Sequence, residues 1–264
     1  MRPGASRHGP VHVRAEVLAT KALGAHRQLT LVAEGVGAGF RPGAFVALSV
    51  GEARLARRAY WIHRVRAVGG HAAALDLVVE PRGPGSRWLA DLTPGARLDL
   101  TGPLGRPFSL PAQPVRCVLI GEGSSAAPLL ALVERLRERG CGVHLVLTAA
   151  DEARLMPVLE ARRSVPTVSV LVGDTGSQLG KALDGADVVY AAGSTGLLAE
   201  VAAATAERGL WCQVALEQPL PCATGLCQGC PVPVHDDDGA AHLVRSCADG
   251  PVFRSDRVDW AALA

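Results

Sequence analysis

A chain of 264 residues has room for two modest domains or one large one. With 48% hydrophobic and 20% charged residues it is no disordered polymer, and 30 glycines with 18 prolines exclude a coiled coil or helical bundle. Lys and Arg number 27 against 25 for Asp and Glu, a net +2 too small and too evenly spread for binding nucleic acid or anionic membranes.

The opening stretch, Met1 to Pro10, is positively charged but has no hydrophobic run behind it, so no secretory signal is expected. No apolar run approaches the ~20 residues that cross a bilayer, and no membrane span is predicted. Short strands are then predicted over Val11–Leu18, Gln28–Val32, Ala44–Val50, Tyr60–Arg66, Ala74–Glu80 and Ala96–Thr101. Turns separate them at Arg41-Pro-Gly43, Gly69-Gly70, Pro81-Arg-Gly-Pro-Gly85 and Pro94-Gly95. Six or so short strands at this spacing predict a small closed antiparallel barrel, because closure removes exposed edges.

After Pro114 the rhythm changes. Arg116–Ile120 reads as a continuous apolar strand, followed by a glycine-rich turn and a helix from Ala126 to Arg139. A strand over Val143–Leu147, a helix from Glu152 to about Arg162 and a strand over Thr167–Val172 follow. Asp187–Tyr190 precedes a helix from Thr195 to Arg208, and Trp211–Leu216 is the last strand of the series. Alternating strands and helices predict a parallel sheet with helices on both faces. The tail from Pro219 has little periodicity, is rich in cysteine and holds a turn at Asp236–Asp238. The reading is a β barrel plus α/β chain with domains over 1–110, 111–218 and 219–264.

The seven cysteines are an odd count, and four of them follow Pro221, which argues for metal in a reducing cytoplasm rather than a disulfide framework. Cys222, Cys227 and Cys230 are separated by four and two residues, and Cys247 follows after sixteen more. Three thiolates in one tight loop with a distant fourth match the plant-type [2Fe–2S] spacing. The glycines between them let backbone N–H groups approach the sulfurs. A structural four-cysteine zinc site is the alternative, although zinc sites more often pair two short hooks and the second half here has only Cys247. Cys117, Cys141 and Cys212 read as small buried hydrophobes.

From Gln213 through Pro219, Leu220 and Cys222 to Cys230, and again from Ser246 to Phe253, the tail resembles the electron-transfer subunits of two-flavin, NAD-linked dihydroorotate dehydrogenases. Pro42–Val46, Gly102–Gly105, Ala127–Leu130 and Asp187–Tyr190 extend the resemblance over almost the whole chain. It implies a ferredoxin reductase-like flavoprotein: an FAD-binding barrel, a Rossmann-like pyridine-nucleotide domain and a C-terminal cluster ligated by Cys222, Cys227, Cys230 and Cys247. The FAD contacts it implies are Arg58, Ala59, Tyr60 and Trp61, then Val78, Val79 and Glu80, then Gly85 and Ser86. Arg58 brings fixed, always-charged donors to a pyrophosphate.

Trp61 stands where the family usually has a hydroxyl residue beside the flavin's reactive nitrogen, and indole donates but cannot accept. Glu80 stands where a basic residue sometimes neutralises phosphate. Both departures bear on the flavin's redox tuning more than on its binding. Gly121-Glu-Gly123-Ser-Ser-Ala-Ala-Pro128 occupies the place of the family's nucleotide loop, with Gly193 beside the nicotinamide. Ser125 replaces a glycine there, Glu122 adds negative charge, and Ser194 replaces a proline.

The resemblance implies an oxidoreductase subunit in which no acid–base residue needs to touch the orotate. It passes electrons between NAD(H), FAD and the [2Fe–2S] cluster, and a partner FMN dehydrogenase subunit that oxidises dihydroorotate in pyrimidine synthesis. The complex it implies is a heterotetramer. Two alternatives stay open: the same cofactors serving a different oxidoreductase with altered or lost NAD use, and a zinc-stapled binding module without redox function.

Overall fold

In a computed structural model of the chain, residues 9–51, 56–68, 72–173 and 176–263 are described. The Gly69–Gly70 turn and most of the Met1–Pro10 stretch lie outside them.

Seven strands build the first sheet: β1 (Val11–Leu23), β2 (His26–Val32), β3 (Phe45–Leu48), β4 (Arg58–Trp61), β5 (Arg64–Val68), β6 (Ala72–Val79) and β7 (Arg97–Leu104). Their order is β4-β3-β7-β1-β2-β6-β5, with every neighbouring pair antiparallel. The single strand expected over Tyr60–Arg66 is two, and the break makes the barrel. β4 and β5 are opposite edges of the sheet, yet only Ile62 and His63 separate them, so the sheet curls into a half-barrel. Its edges approach at this crossing without a ladder between β4 and β5 among the described residues, and the full closure expected from the sequence is not reached. Ile62 N donates to Ala44 O at 3.1 Å and His63 N to Asp76 O at 2.9 Å, which fastens the crossing to both sides. Leu29, Leu31, Val46, Leu48, Leu75, Leu77 and Leu100 fill the interior. Each fully buried leucine contributes about 1.5–3 kcal/mol of apolar transfer energy. One short helix, α1 (Pro84–Ala90), lies in a stretch expected to be only turn; Pro84 opens it at a position where a missing N–H costs nothing.

The second sheet holds β8 (Arg116–Glu122), β9 (Gly142–Ala149), β10 (Thr167–Val172), β11 (Val188–Gly193) and β12 (Trp211–Leu216), all parallel, in the order β10-β9-β8-β11-β12. Its helices are α2 (Ala127–Glu138), α3 (Val158–Ser164), α4 (Gly176–Ala182) and α5 (Thr195–Glu207). Alternation along β8 sorts them into layers. Cys117 and Leu119 pack with Leu129, Leu132 and Leu136 of α2, while Val118 and Ile120 pack with Leu198 and Val201 of α5. The helix expected from Glu152 begins in earnest only at Val158, because Met156 and Pro157 follow a single 3-10 turn over Glu152–Arg154.

The cysteine-rich tail is more regular than its composition indicates. Strands β13 (Pro231–His235) and β14 (Ala241–Arg245) form a hairpin whose turn is held by Asp236 Oδ1, which accepts from Asp238 N and Ala240 N at 3.0 and 2.9 Å. After a four-residue helix, α6 (Ser246–Asp249), strand β15 (Val252–Arg254) joins the second sheet antiparallel to β12. The chain ends in the short α7 (Trp260–Leu263). No helix among the described residues is long and apolar enough to cross a membrane.

Candidate functional site

A cavity of about 470 Å³ opens between the barrel, the turn after β8 and the segment that follows β12. Arg58, Ala59, Tyr60 and Trp61 of β4 line it, with Val78, Glu80, Gly85 and Ser86. Val79 is the exception among the expected flavin contacts. It alternates with Val78 along β6, so its side chain is buried wholly in the barrel core.

Gly85 has a physical reason to lack a side chain: a Cβ there would come within 2.8 Å of Arg58 Nε. The guanidinium therefore lies against the first turn of α1. As the second and third residues of that helix, Gly85 and Ser86 have backbone N–H groups with no intrahelical acceptor. A fixed cation beside free amides is a pocket for a phosphate group. The Ser86 hydroxyl is engaged locally, accepting from Gly83 N at 2.9 Å and donating to Gly83 O at 3.1 Å.

Glu80 does not leave a bare negative charge in the cavity. Arg82 donates to its Oε2 at 2.6 Å and Arg154 to its Oε1 at 3.3 Å, with Ser124 Oγ 3.4 Å from Oε2. Burial pushes this carboxyl up, but the Arg82 hydrogen bond and charge, with help from Arg154, hold it below its ordinary range. Tyr60 is pushed up to about 12, mainly by burial; Arg58 pulls it down and Glu217 adds to the rise. Trp61 is nearly buried, faces Phe45 across the β3–β4 pairing, and donates its indole N–H to Glu217 Oε1 at 3.0 Å.

Gly121, Gly123 and Gly193 gather elsewhere, at the carboxyl ends of β8 and β11. These adjacent strands mark where the sheet order reverses, the place where open α/β sheets bind ligands. A Cβ on Gly121 would sit 2.5 Å from Ala126 Cβ, and one on Gly193 would sit 3.0 Å from Glu122 Cβ. Gly123 adopts φ +49°, in the left-handed region. Glu122 bridges the crevice: its Oε2 accepts from Ser194 N, at the start of α5, at 2.7 Å. Ser194 Oγ caps the same helix by accepting from Leu197 N.

In the cysteine loop the backbone points at sulfur. Thr224 N and Cys227 N lie 3.4 and 3.5 Å from Cys222 Sγ, Gly225 N 3.2 Å from Cys247 Sγ, and Gly229 N 3.4 Å from Cys227 Sγ. Cys230 and Cys247 are buried with their sulfurs 3.4 Å apart, Cys222 is half-buried and Cys227 exposed. Ala223 and Gln228 adopt φ +61° and +55°, a conformation costing about 1–3 kcal/mol at a residue with a side chain. Burial opposes ionisation of Cys222, yet the amides of Cys227 and Thr224 bring its thiol down to about 6. Burial and the adjacent Cys230 push Cys247 up to about 12. Two neighbouring thiolates in a buried setting need cationic charge beside them. As placed, no three His, Cys, Asp or Glu side chains among the described residues form a group able to hold a lone metal ion. The donors fit an iron–sulfur group: thiolates met by main-chain N–H, partly buried and partly open. Cys117 and Cys212 are buried in β8 and β12 and Cys141 just before β9, and burial pushes Cys117 and Cys212 up to about 12 and 11, which keeps both protonated.

Comparison with known proteins decides between the readings. The chain is 32% identical over 231 residues to the dihydroorotate dehydrogenase B (NAD(+)) electron transfer subunit of Desulforamulus reducens, covering 83% of this chain and 87% of the relative. The chain belongs to the family of dihydroorotate dehydrogenase B electron transfer subunits. The counterpart from Geobacillus thermodenitrificans is also 32% identical, over 88% of this chain and 91% of its own. Residues 217–259 match the family model for the iron-sulfur cluster binding domain of dihydroorotate dehydrogenase B, so the zinc reading is set aside. A chain of the NADH-dependent reduced ferredoxin-NADP oxidoreductase superposes with TM-score 0.81 at 25% identity, over 94% of this chain and 90% of that one. Phthalate dioxygenase reductase, at 17% identity, shares the fold with TM-score 0.59 over 89% of this chain and 77% of its own.

Sequence reasoning about this electron transfer subunit missed Glu217, Arg82 and Arg154. Glu217 lay within reach of one signal: it directly follows β12, at the carboxyl end of a parallel strand. Arg154 offered none, since its meeting with Glu80 joins the two sheets across 74 positions of sequence.

Proposed function

We propose that this chain carries electrons between NAD and a catalytic dihydroorotate dehydrogenase subunit through FAD and a [2Fe–2S] cluster. Residues 1–110 form the flavin domain, 111–218 the nucleotide domain and 219–264 the cluster segment. Flavin supplies the change of step size, since it exchanges hydrides with nicotinamide and single electrons with iron–sulfur centres.

The chain's own residues bind, orient and insulate. Arg58, with the free amides of Gly85 and Ser86, takes the pyrophosphate of FAD. Tyr60, Trp61 and Val78 supply apolar cover, and Ala59 leaves room beside them. Glu80, held by Arg82 and Arg154, ties the barrel to the nucleotide domain at the cavity rim. Gly121 and Gly193 let the turn after β8 and the start of α5 pack closely, and Gly123 supplies the left-handed turn, at the crevice that takes NAD(H). Cys222, Cys227, Cys230 and Cys247 ligate the irons. The partner is a flavoprotein (FMN) dehydrogenase in a cytoplasmic heterotetramer, and the electrons come from oxidation of dihydroorotate to orotate in pyrimidine synthesis.

One observation carries this reading. The cavity wall runs from Leu216 to Leu220, and after Pro221 the next residue is Cys222. The two redox sites are thus adjoining parts of one segment. The test is anaerobic purification with FAD, iron and acid-labile sulfide counted, followed by NADH titration. One FAD with two irons and two sulfides per chain, both bleached by NADH, is expected. A protein carrying flavin but no labile sulfide refutes the proposal.

A further inference from the structure

The cavity holds one charged contact that its flavin assignment leaves unexplained. Glu217 stands in its wall, and no cationic side chain forms an ion pair with it among the described residues. Its hydrogen bond comes from an uncharged donor, the Trp61 indole, across 156 positions of sequence. Glu80, in the same wall, shows the contrast, since two guanidiniums neutralise it. Glu217 is otherwise exposed. A glutamate on the surface turns freely into water, and fixing its rotamers costs entropy that only a specific partner repays. Trp61 is that partner, and it is itself immobilised: nearly buried, on an edge strand of the barrel, opposite Phe45.

We infer that Trp61 is a positioning residue that pins the Glu217 carboxylate in the wall of the flavin cavity, where its charge lowers the flavin's reduction potential. The inference rests on the assignment of this cavity to FAD. Two effects act in one direction. The indole spends its single N–H on Glu217, so it has no further hydrogen bond to offer a reduced ring. The fixed carboxylate opposes the additional negative charge that a ring gains on reduction. A lower potential favours hydride donation to NAD. The balance is simple: two single electrons from the cluster and one proton from water reach the flavin, and they leave together as the hydride that converts NAD(+) to NADH.

The test is spectroelectrochemistry of the flavin in the intact, cluster-loaded protein, on Trp61→Phe, Glu217→Gln and the double variant, with bound FAD counted in each. Glu217→Gln is expected to shift the reduced-to-oxidised ratio at fixed potential about tenfold towards reduced, ~30 mV for a two-electron couple. Trp61→Phe keeps an aromatic wall but frees the carboxylate, so it shifts the potential in the same direction. The double variant moves no further than Glu217→Gln alone, because both changes remove one effect. An unchanged potential in FAD-loaded Glu217→Gln overturns the inference, and so does a double variant whose shift is the sum of the two. Arg58→Ala, measured alongside, separates the assumptions. Undiminished FAD affinity there would overturn the cavity assignment itself, and the role of Trp61 with it.

Discussion

Cys230→Ser replaces the loop's buried sulfur, 3.4 Å from Cys247 Sγ, with an oxygen that binds iron poorly. Iron and labile sulfide are expected to fall to near zero while the flavin band persists. Cys212→Ala, at a buried position at the start of β12, is expected to leave both counts intact. A Cys230→Ser protein with full iron and sulfide would remove that sulfur from the ligand set. The flavin end offers a second test at this scale. Hydrogen bonds to charged groups contribute about 1.5–3 kcal/mol, so Arg58→Ala is expected to weaken FAD binding roughly ten- to hundredfold. Fluorescence titration of flavin-stripped protein reads this directly, and retention of native affinity would show that FAD does not bind in the cavity beside Arg58. The two tests differ in how far the sequence announces them. Cysteine spacing is local and survives without a fold. Arg58 gains its meaning only from Gly85, which leaves space for the guanidinium against α1.

At the scale of elements, runs buried on both faces were legible and chain crossings were not. β12 falls on its predicted bounds, Trp211–Leu216, because the run is apolar except for Gln213 and almost wholly buried. α2 agrees to within a residue at each end, its leucines repeating at helical spacing towards one face. The break between β4 and β5 was hidden, since residues on both sides of Ile62 and His63 favour strands and only the curl of the sheet separates them. The β13–β14 hairpin was hidden by Pro231 and Pro233, which an isolated two-stranded edge tolerates. The glycine-rich turn from β8 into α2 was legible, but the reach of Glu122 to α5 was not. That contact leads to a prediction. Glu122 holds the N–H of Ser194, the capping residue of α5, and sets an anion at the crevice proposed to take the nucleotide pyrophosphate. Charges at helix N-termini are worth about 0.3–1 kcal/mol, so Glu122→Gln is expected to lower the KM for NADH about two- to fivefold, with kcat and FAD content unchanged. A raised KM would mean that the carboxylate orders the crevice instead of obstructing it.

Across the whole molecule, the cluster segment is fastened to the second sheet without any help from metal. β15 pairs with β12 and Leu216 N donates to Pro251 O, while Asp259 N, donating to Pro233 O, ties the end of the tail to β13. The Cys222–Cys230 loop is different: it has no strand or helix of its own, and several of its amides point at sulfur. Hydrogen bonds to an ionised acceptor are roughly twice as strong as those to a neutral one. Removing the irons lets the thiolates take up protons, so the loop loses much of what orders it while the sheet keeps its ladder. Hydrogen exchange before and after anaerobic chelation is therefore expected to quicken in residues 222–230 and in α6, which carries Cys247. β12 and β15 are expected to keep their protection. This local opening matters for function, because the loop adjoins the cavity wall at Leu220 and its order fixes the spacing between the two redox sites. Loss of protection throughout β12 and β15 would instead make the cluster a staple for the entire second sheet, and the tail's own pairing could not be what holds it there.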